Sequence, residues 1–178
     1  MRNNLEFEKI IPFKRYTKSI SGFLRIKEKR VIKMQMKVKK LRENAILPER
    51  ATKGSAGMDI YAAIEEKIII DPGKRVLIPS GFAAEIPEGT AGFIFTRSGL
   101  GIKRGIHVTN GVGVIDSDYR GEICVGLHNL SDEPYEVSPG ERIAQLIIMP
   151  YFAVDVEEAD ELTKTERDKG GFGSTGKK

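Results

Sequence analysis

The central stretch of this sequence predicts an all-β domain, a sandwich or barrel, and three observations carry that prediction. Between Met36 and about Val156 the apolar residues come in short stretches rather than long runs. Proline and glycine punctuate those stretches at the spacing of strands of roughly five to eight residues. No part of the region carries a sustained helical stripe, although "SGLGIKRG" has room for a turn or two.

Taken in order, the chain divides into three parts. Residues 1–35 form a basic leader. Residues 1–40 hold 13 Lys/Arg against 3 Asp/Glu, a balance of +10, whereas the remainder holds 16 against 22, a balance of −6. The overall charge of +4 therefore misleads, because a mildly acidic body follows a basic start. The leader lacks the apolar core and small-residue cleavage site of a secretory signal, and Glu6, Glu8 and Glu28 interrupt a mitochondrial-type pattern. Met34 and Met36 are both plausible starts, and "KEKRVIK" upstream reads as purine-rich codons of a ribosome-binding site. A mis-set start codon is favoured over a functional leader.

Residues 36–160 form the body. The run "KIIIDPGKRVLIPSGFAAEIPEGTAGFIFT" holds three short β-rich stretches, with turns at Asp71-Pro72-Gly73, Pro79-Ser80-Gly81 and Pro87-Glu88-Gly89. Further on, "EICVGLHNL" and "RIAQLIIMPYFAVDVEE" flank a turn at "SPGE". Residues 161–178 change character again and end in "RDKGGFGSTGKK", a composition too poor in apolar surface to pack on its own. Such a terminus is a discarded tail or a lid that orders on a ligand.

Composition excludes several classes of function. A single cysteine, Cys124, forms no intrachain disulfide, and with His107 and His128 it falls short of a structural zinc site. No apolar run approaches the roughly 20 residues of a membrane span, so a cytoplasmic protein is expected. Charge at the leader alone makes a weak case for nucleic acid. With 40% hydrophobic residues and no Trp, the core should be aliphatic. The 19 glycines exceed the usual share of roughly 7% and point to turns or a glycine-rich functional loop.

Five segments carry chemistry: "AGMDIYA" (56–62), "RSGLGIKRGI" (97–106), "NGVGVIDSDYRGE" (110–122), "GERIAQL" (140–146) and "RDKGGFGSTG" (167–176). Asp116 follows an apolar strand and precedes a tight turn, where a carboxylate can hold a water. Its ordinary alternative is to open that turn with Ser117. Arg97 offers a fork of donors, Ser98 a hydroxyl, and Gly99 close backbone approach, a set suited to phosphates. Gln145 lies among Ile143, Ala144, Leu146 and Ile147, where a buried amide needs a partner, which a ligand would supply. The tail motif "GFGSTGK" matches the front of a P-loop, but Lys178 stands where Ser/Thr is required and no helix follows.

In this order the five segments resemble the motifs of the trimeric dUTPase family, over essentially everything after Met36; the first 35 residues have no counterpart. The resemblance implies a jelly-roll-like β fold, a homotrimer with three shared active sites, and Mg2+ as cofactor. It implies dUTP as substrate, hydrolysed to dUMP and pyrophosphate, which lowers dUTP and supplies dUMP for thymidylate synthesis. No membrane or nucleic-acid partner is expected.

Residue by residue, the resemblance makes Asp116 the base for the attacking water. Tyr119 packs on the deoxyribose, where a 2′-hydroxyl collides. Asn110 with Gly113, Val114 and Ile115 forms a hairpin reading uracil, and Cys124 adds a main-chain contact. Arg97, Ser98, Gly99 and Gln145 serve the phosphates, and Asp59 the outer shell of the metal, its alternative being a turn cap. In the arm, Arg167 contacts the γ-phosphate, Phe172 stacks on uracil, and Gly173, Ser174 and Thr175 wrap the phosphates. The family usually has Pro before the Arg matching Arg97, here Thr96, and Gly after the Arg matching Arg167, here Asp168. The related dCTP deaminases share the fold but need a Glu at the position matching Gly126.

Overall fold

A computed structural model describes residues 34–171. The fold is all-β. Its strands are β1 (Lys37–Lys40), β2 (Met58–Tyr61), β3 (Ile68–Ile70), β4 (Arg75–Pro79), β5 (Phe82–Glu85), β6 (Thr90–Phe95), β7 (Ile106–Val108), β8 (Gly113–Ile115), β9 (Cys124–Asn129), β10 (Tyr135–Val137) and β11 (Arg142–Pro150). One short helix, α1 (Ser98–Arg104), lies between β6 and β7, in the segment that has room for a turn or two.

The strands pair antiparallel. A four-stranded sheet runs β2-β11-β6-β8, a three-stranded sheet runs β4-β9-β7, and β1-β5 and β10-β3 form two further ladders. The run from Ile68 to Phe95 holds four strands rather than three, because each of its three turns separates two of them. Those turns close on Gly73, Gly81 and Gly89, all with left-handed backbones that suit glycine. The largest fully buried side chains are aliphatic apart from Phe82 and Asn129: Ile60, Ile70, Ile78, Ile106, Ile123, Leu127, Ile143 and Leu146 among them. They come from both larger sheets and seal them into one core, as the absence of Trp foretells.

The longest strand, β11, ends at Pro150, and 151–171 contain no strand or helix. The alternation of "YFAVDVEE" reads as a continuing strand, yet Phe152, Val154 and Val156 are exposed. A strand needs a neighbour to bond, and the described residues offer none there.

Met36 and Val38 pack against the core, and β1 begins at Lys37. Residues 1–33 lie outside the described residues. All five motif segments lie downstream, so a protein started at Met34 or Met36 should keep its melting temperature, its assembly and its turnover. A large loss in any of the three, measured beside the full chain, would give the leader a role.

Candidate active site

The cleft arises where two successive strands part company. β7 follows β9 in one sheet, with Thr109 N–H donating to Gly126 O at 2.8 Å as the last rung. Gly111 (φ 73°) then turns the chain, and β8 joins β6 in the other sheet. β7 and β8 therefore do not form a paired hairpin, contrary to the hairpin expected from the sequence. The two are splayed, and the wedge between β8 and the first half of β9 is a cleft of about 300 Å³.

Its walls include Asn110, Gly113, Val114, Ile115 and Cys124, five of the residues expected to read a base. β8 is an edge strand, so the side turned away from β6 has no strand neighbour in its sheet. An edge presents main-chain N–H and C=O groups at fixed spacing, which recognise the polar rim of a flat heterocycle. The Cys124 thiol is pushed up by burial and then by the nearby Glu122 charge, so it stays protonated and offers no nucleophile. His107 and His128 face each other across β7 and β9 and do not line the cleft.

Beyond the cleft wall runs the loop 116–122. The Asp116 backbone carbonyl accepts the Tyr119 N–H at 3.2 Å, so the backbone opens the turn. The Asp116 carboxylate is exposed and accepts no hydrogen bond among the described residues. The loop braces itself through Arg120 Nη1, which donates to Ser117 O at 2.7 Å and Tyr119 O at 2.9 Å. Tyr119 Oη donates to Glu122 O at 3.1 Å, and the residue remains 44% exposed.

A second group of polar residues lies across β2, β11 and the start of α1. Asp59 Oδ1 accepts from Arg97 Nε at 2.9 Å, and Oδ2 from Arg142 Nη1 at 3.3 Å. Asp59 is thus a strand residue in two ion pairs and caps no turn. The contact with Nε fixes the direction in which Arg97 points. Arg142, part of "GERIAQL", belongs to this group; its partner lies 83 positions away, which no local pattern in the sequence signals. Gln145 finds its partner inside the chain, donating from Nε2 to Thr96 O at 3.1 Å. A side chain at Gly57 would strike Gln145 Oε1 at 2.7 Å, so the glycine of "AGMDIYA" makes room for the amide. Together Asp59 and Gln145 fix the backbone and side chain that lead into Arg97-Ser98-Gly99.

The start of α1 has no side-chain cap and no acidic residue in its first turn. Ser98 and Gly99 thus begin a helix whose first N–H groups are free to meet an anion. Neither Arg97, Gln145 nor Asp59 lines the base-sized cleft. Among the described residues no group of three or more His, Cys, Asp or Glu is placed to hold a metal ion.

Arg167 bonds within its own turn, Nε donating to Gly170 O at 2.8 Å. Asp168 has φ 39°, a left-handed backbone that Asp tolerates better than most residues. That accounts for a residue other than Gly at this place. Phe172, Gly173, Ser174 and Thr175 lie outside the described residues.

Fold and cleft together define an all-β domain with a cleft along the free edge of one sheet. A family model described as dUTPase matches residues 43–176. The deoxyuridine 5'-triphosphate nucleotidohydrolase of a Hydrogenobaculum species is 51% identical over 145 residues, covering 82% of this chain and 100% of that one. The protein of the same name from Rhizobium rhizogenes is 54% identical over 132 residues, covering 73% and 85%. Among solved structures, the dUTPase of Staphylococcus bacteriophage 80alpha with dUPNHPP superimposes at a TM-score of 0.73 with 30% identity, covering 80% of this chain and 98% of that one. A variant of the dUTPase from phage phi11 of S. aureus, whose structure details the coordination of a structural Mg(II) ion, matches at 0.65 with 27% identity, covering 72% and 98%. The chain belongs to the dUTPase family.

Proposed function

We propose that this protein is a dUTP diphosphatase that hydrolyses dUTP to dUMP and pyrophosphate in the cytoplasm, with Mg2+. The observation that carries the reading is the splayed cleft, in which Asn110, Gly113, Val114, Ile115 and Cys124 surround one base-sized space in a chain of this family. Main-chain groups of β8 pair with O2, N3–H and O4 of uracil and refuse the exocyclic amine of cytosine, since a mismatched edge leaves buried groups unpaired. Tyr119 beside the cleft excludes a 2′-hydroxyl.

Asp116 aligns and deprotonates the water that attacks the α-phosphorus in line with the leaving pyrophosphate. Arg97, held by Asp59, and the N–H groups of Ser98 and Gly99 take up phosphate charge. Gln145 keeps that loop in place through Thr96 O. Magnesium, when bound, would supply charge neutralisation for the triphosphate, and Asp59 would hold it through water. Arg167 and Phe172 come from an arm that closes over the site.

The assembly is a homotrimer in which neighbouring subunits complete each site. In support, the phosphate-binding group does not line the base cleft of its own chain, and Phe152, Val154 and Val156 are exposed apolar residues with no strand to join. Deamination of dCTP is disfavoured at Gly126. It lines the cleft without a side chain, and an added Cβ there would press on Thr109 Oγ1 at 3.1 Å.

No helix among the described residues is long and apolar enough to cross a membrane. The test is pyrophosphate release from dUTP, dCTP, dTTP and UTP with and without magnesium. Turnover of dUTP alone, and only with the metal, is expected; comparable turnover of dCTP or UTP would overturn the reading.

A further inference from the structure

Glu122 ends the loop that carries Asp116 and Tyr119, and its carboxylate gathers three donors. Oε1 accepts from Arg42 Nε at 2.8 Å and Oε2 from Arg42 Nη2 at 3.1 Å, a two-pronged contact. Oε1 also accepts the Gly81 N–H at 2.9 Å. Three segments distant in sequence meet here: the turn after β1, the β4–β5 turn, and the foot of the loop. Backbone bonds join them further, from Leu41 N–H to Gly81 O at 2.7 Å and from Ile123 N–H to Phe82 O at 2.9 Å. The β4–β5 turn has little freedom to shift, because a side chain at Gly81 would already strike Ala45 Cβ at 2.6 Å.

On its other side Glu122 holds the tyrosine. Its carbonyl accepts the Tyr119 hydroxyl, and an added Cβ at Gly121 would collide with that ring. Both charges of the pair act on the thiol of Cys124, which lines the cleft, so the pair stands beside the site. The Arg42 hydrogen bonds hold the Glu122 carboxyl below its usual range, which keeps it charged through neutral pH. The side chains are 47% and 21% exposed. Exposed pairs contribute little to stability, so the value of this contact is geometric.

We propose that the Arg42–Glu122 ion pair positions Tyr119 and thereby sets how strictly the site refuses a ribonucleotide. This rests on the functional reading above, in which Tyr119 excludes the 2′-hydroxyl. Arg42 and Glu122 touch no substrate; they are positioning residues. Without the pair the foot of the loop is anchored by backbone bonds alone, so the Glu122 carbonyl that holds Tyr119 gains freedom and UTP suffers less of a collision.

The experiment compares kcat/KM for dUTP and UTP in Arg42→Met, Glu122→Gln and the double variant. Glu122→Gln keeps an acceptor for Gly81 N–H while removing the charge. The dUTP-to-UTP ratio should fall roughly threefold to tenfold in each single variant and no further in the double, as for two residues acting through one contact. Arg42→Lys, with the charge but not the fork, should fall between. Melting should move little in all of them. An unchanged ratio in both single variants, or falls that simply multiply in the double, would overturn the proposal. Should the unsubstituted protein turn over neither nucleotide, the functional reading fails instead. Amide hydrogen exchange over 117–122 then judges the clamp: faster exchange in either variant supports it, and unchanged exchange overturns it.

Discussion

Asp116→Asn should cut dUTP turnover by roughly two or more orders of magnitude, the usual consequence of losing a positioned base. Fold and nucleotide binding should survive. The residue is exposed, its backbone carbonyl already makes the turn, and its carboxylate holds none of the other described residues in place. Asparagine keeps the size and one oxygen, so the loop braced by Arg120 should keep its shape. The loss should therefore appear in kcat, with little change in the affinity for a non-hydrolysable dUTP analogue. Near-normal turnover would remove Asp116 from the role of base, and a lost melting transition would mean that it supports the fold.

Ending the chain at Thr165 should separate chemistry from folding. The last strand stops at Pro150 and none of the described residues beyond it belongs to the core, so melting without ligand should stay near that of the full chain. Arg167 bonds only to its own turn in the described structure, which leaves it available to a phosphate at little cost. The glycines of the arm lose much freedom when ordered, and only contacts to bound nucleotide compensate for that. Those contacts exclude water and fix the triphosphate, so turnover should fall by about two orders of magnitude or more, the scale of lost alignment at the reacting centre. Phe172→Ala should cost less, since it removes the stacking alone.

Mixing truncated subunits with Asp116→Asn subunits sharpens this test. If arms reach across subunits, some mixed trimers contain a site with an intact Asp116 and a donated arm, and activity returns from two inactive parents. No recovery after confirmed subunit exchange would place each arm over its own subunit, or remove the trimer.

Much of this was legible because it is local. Asp-Pro-Gly, Pro-Ser-Gly and Pro-Glu-Gly mark turns whatever surrounds them, and the left-handed glycines stand where those tripeptides put them. The apolar strand expected before Asp116 is β8, and it lines the cleft. What the sequence hid depends on partners far along the chain. That β7 and β8 splay rather than pair follows from the sheets each one joins. Gln145 looked as though it needed a ligand because its partner, Thr96 O, lies 49 positions away. Asp59 allowed the alternative of a turn cap because its two arginines lie 38 and 83 positions away. The clamp on Glu122 spans 80 positions and has no local signature at all. The end of β11 was misjudged for a related reason, since an alternating pattern states that a strand can form but not that a neighbour is present.

The central claim is that a water, held by Asp116, attacks the α-phosphorus of dUTP. It is tested most directly by letting the protein hydrolyse dUTP in water enriched in oxygen-18 and weighing both products after a single turnover. The account predicts one heavy oxygen in dUMP and none in pyrophosphate. Heavy oxygen in the pyrophosphate, or dUDP and phosphate in place of these products, would contradict it.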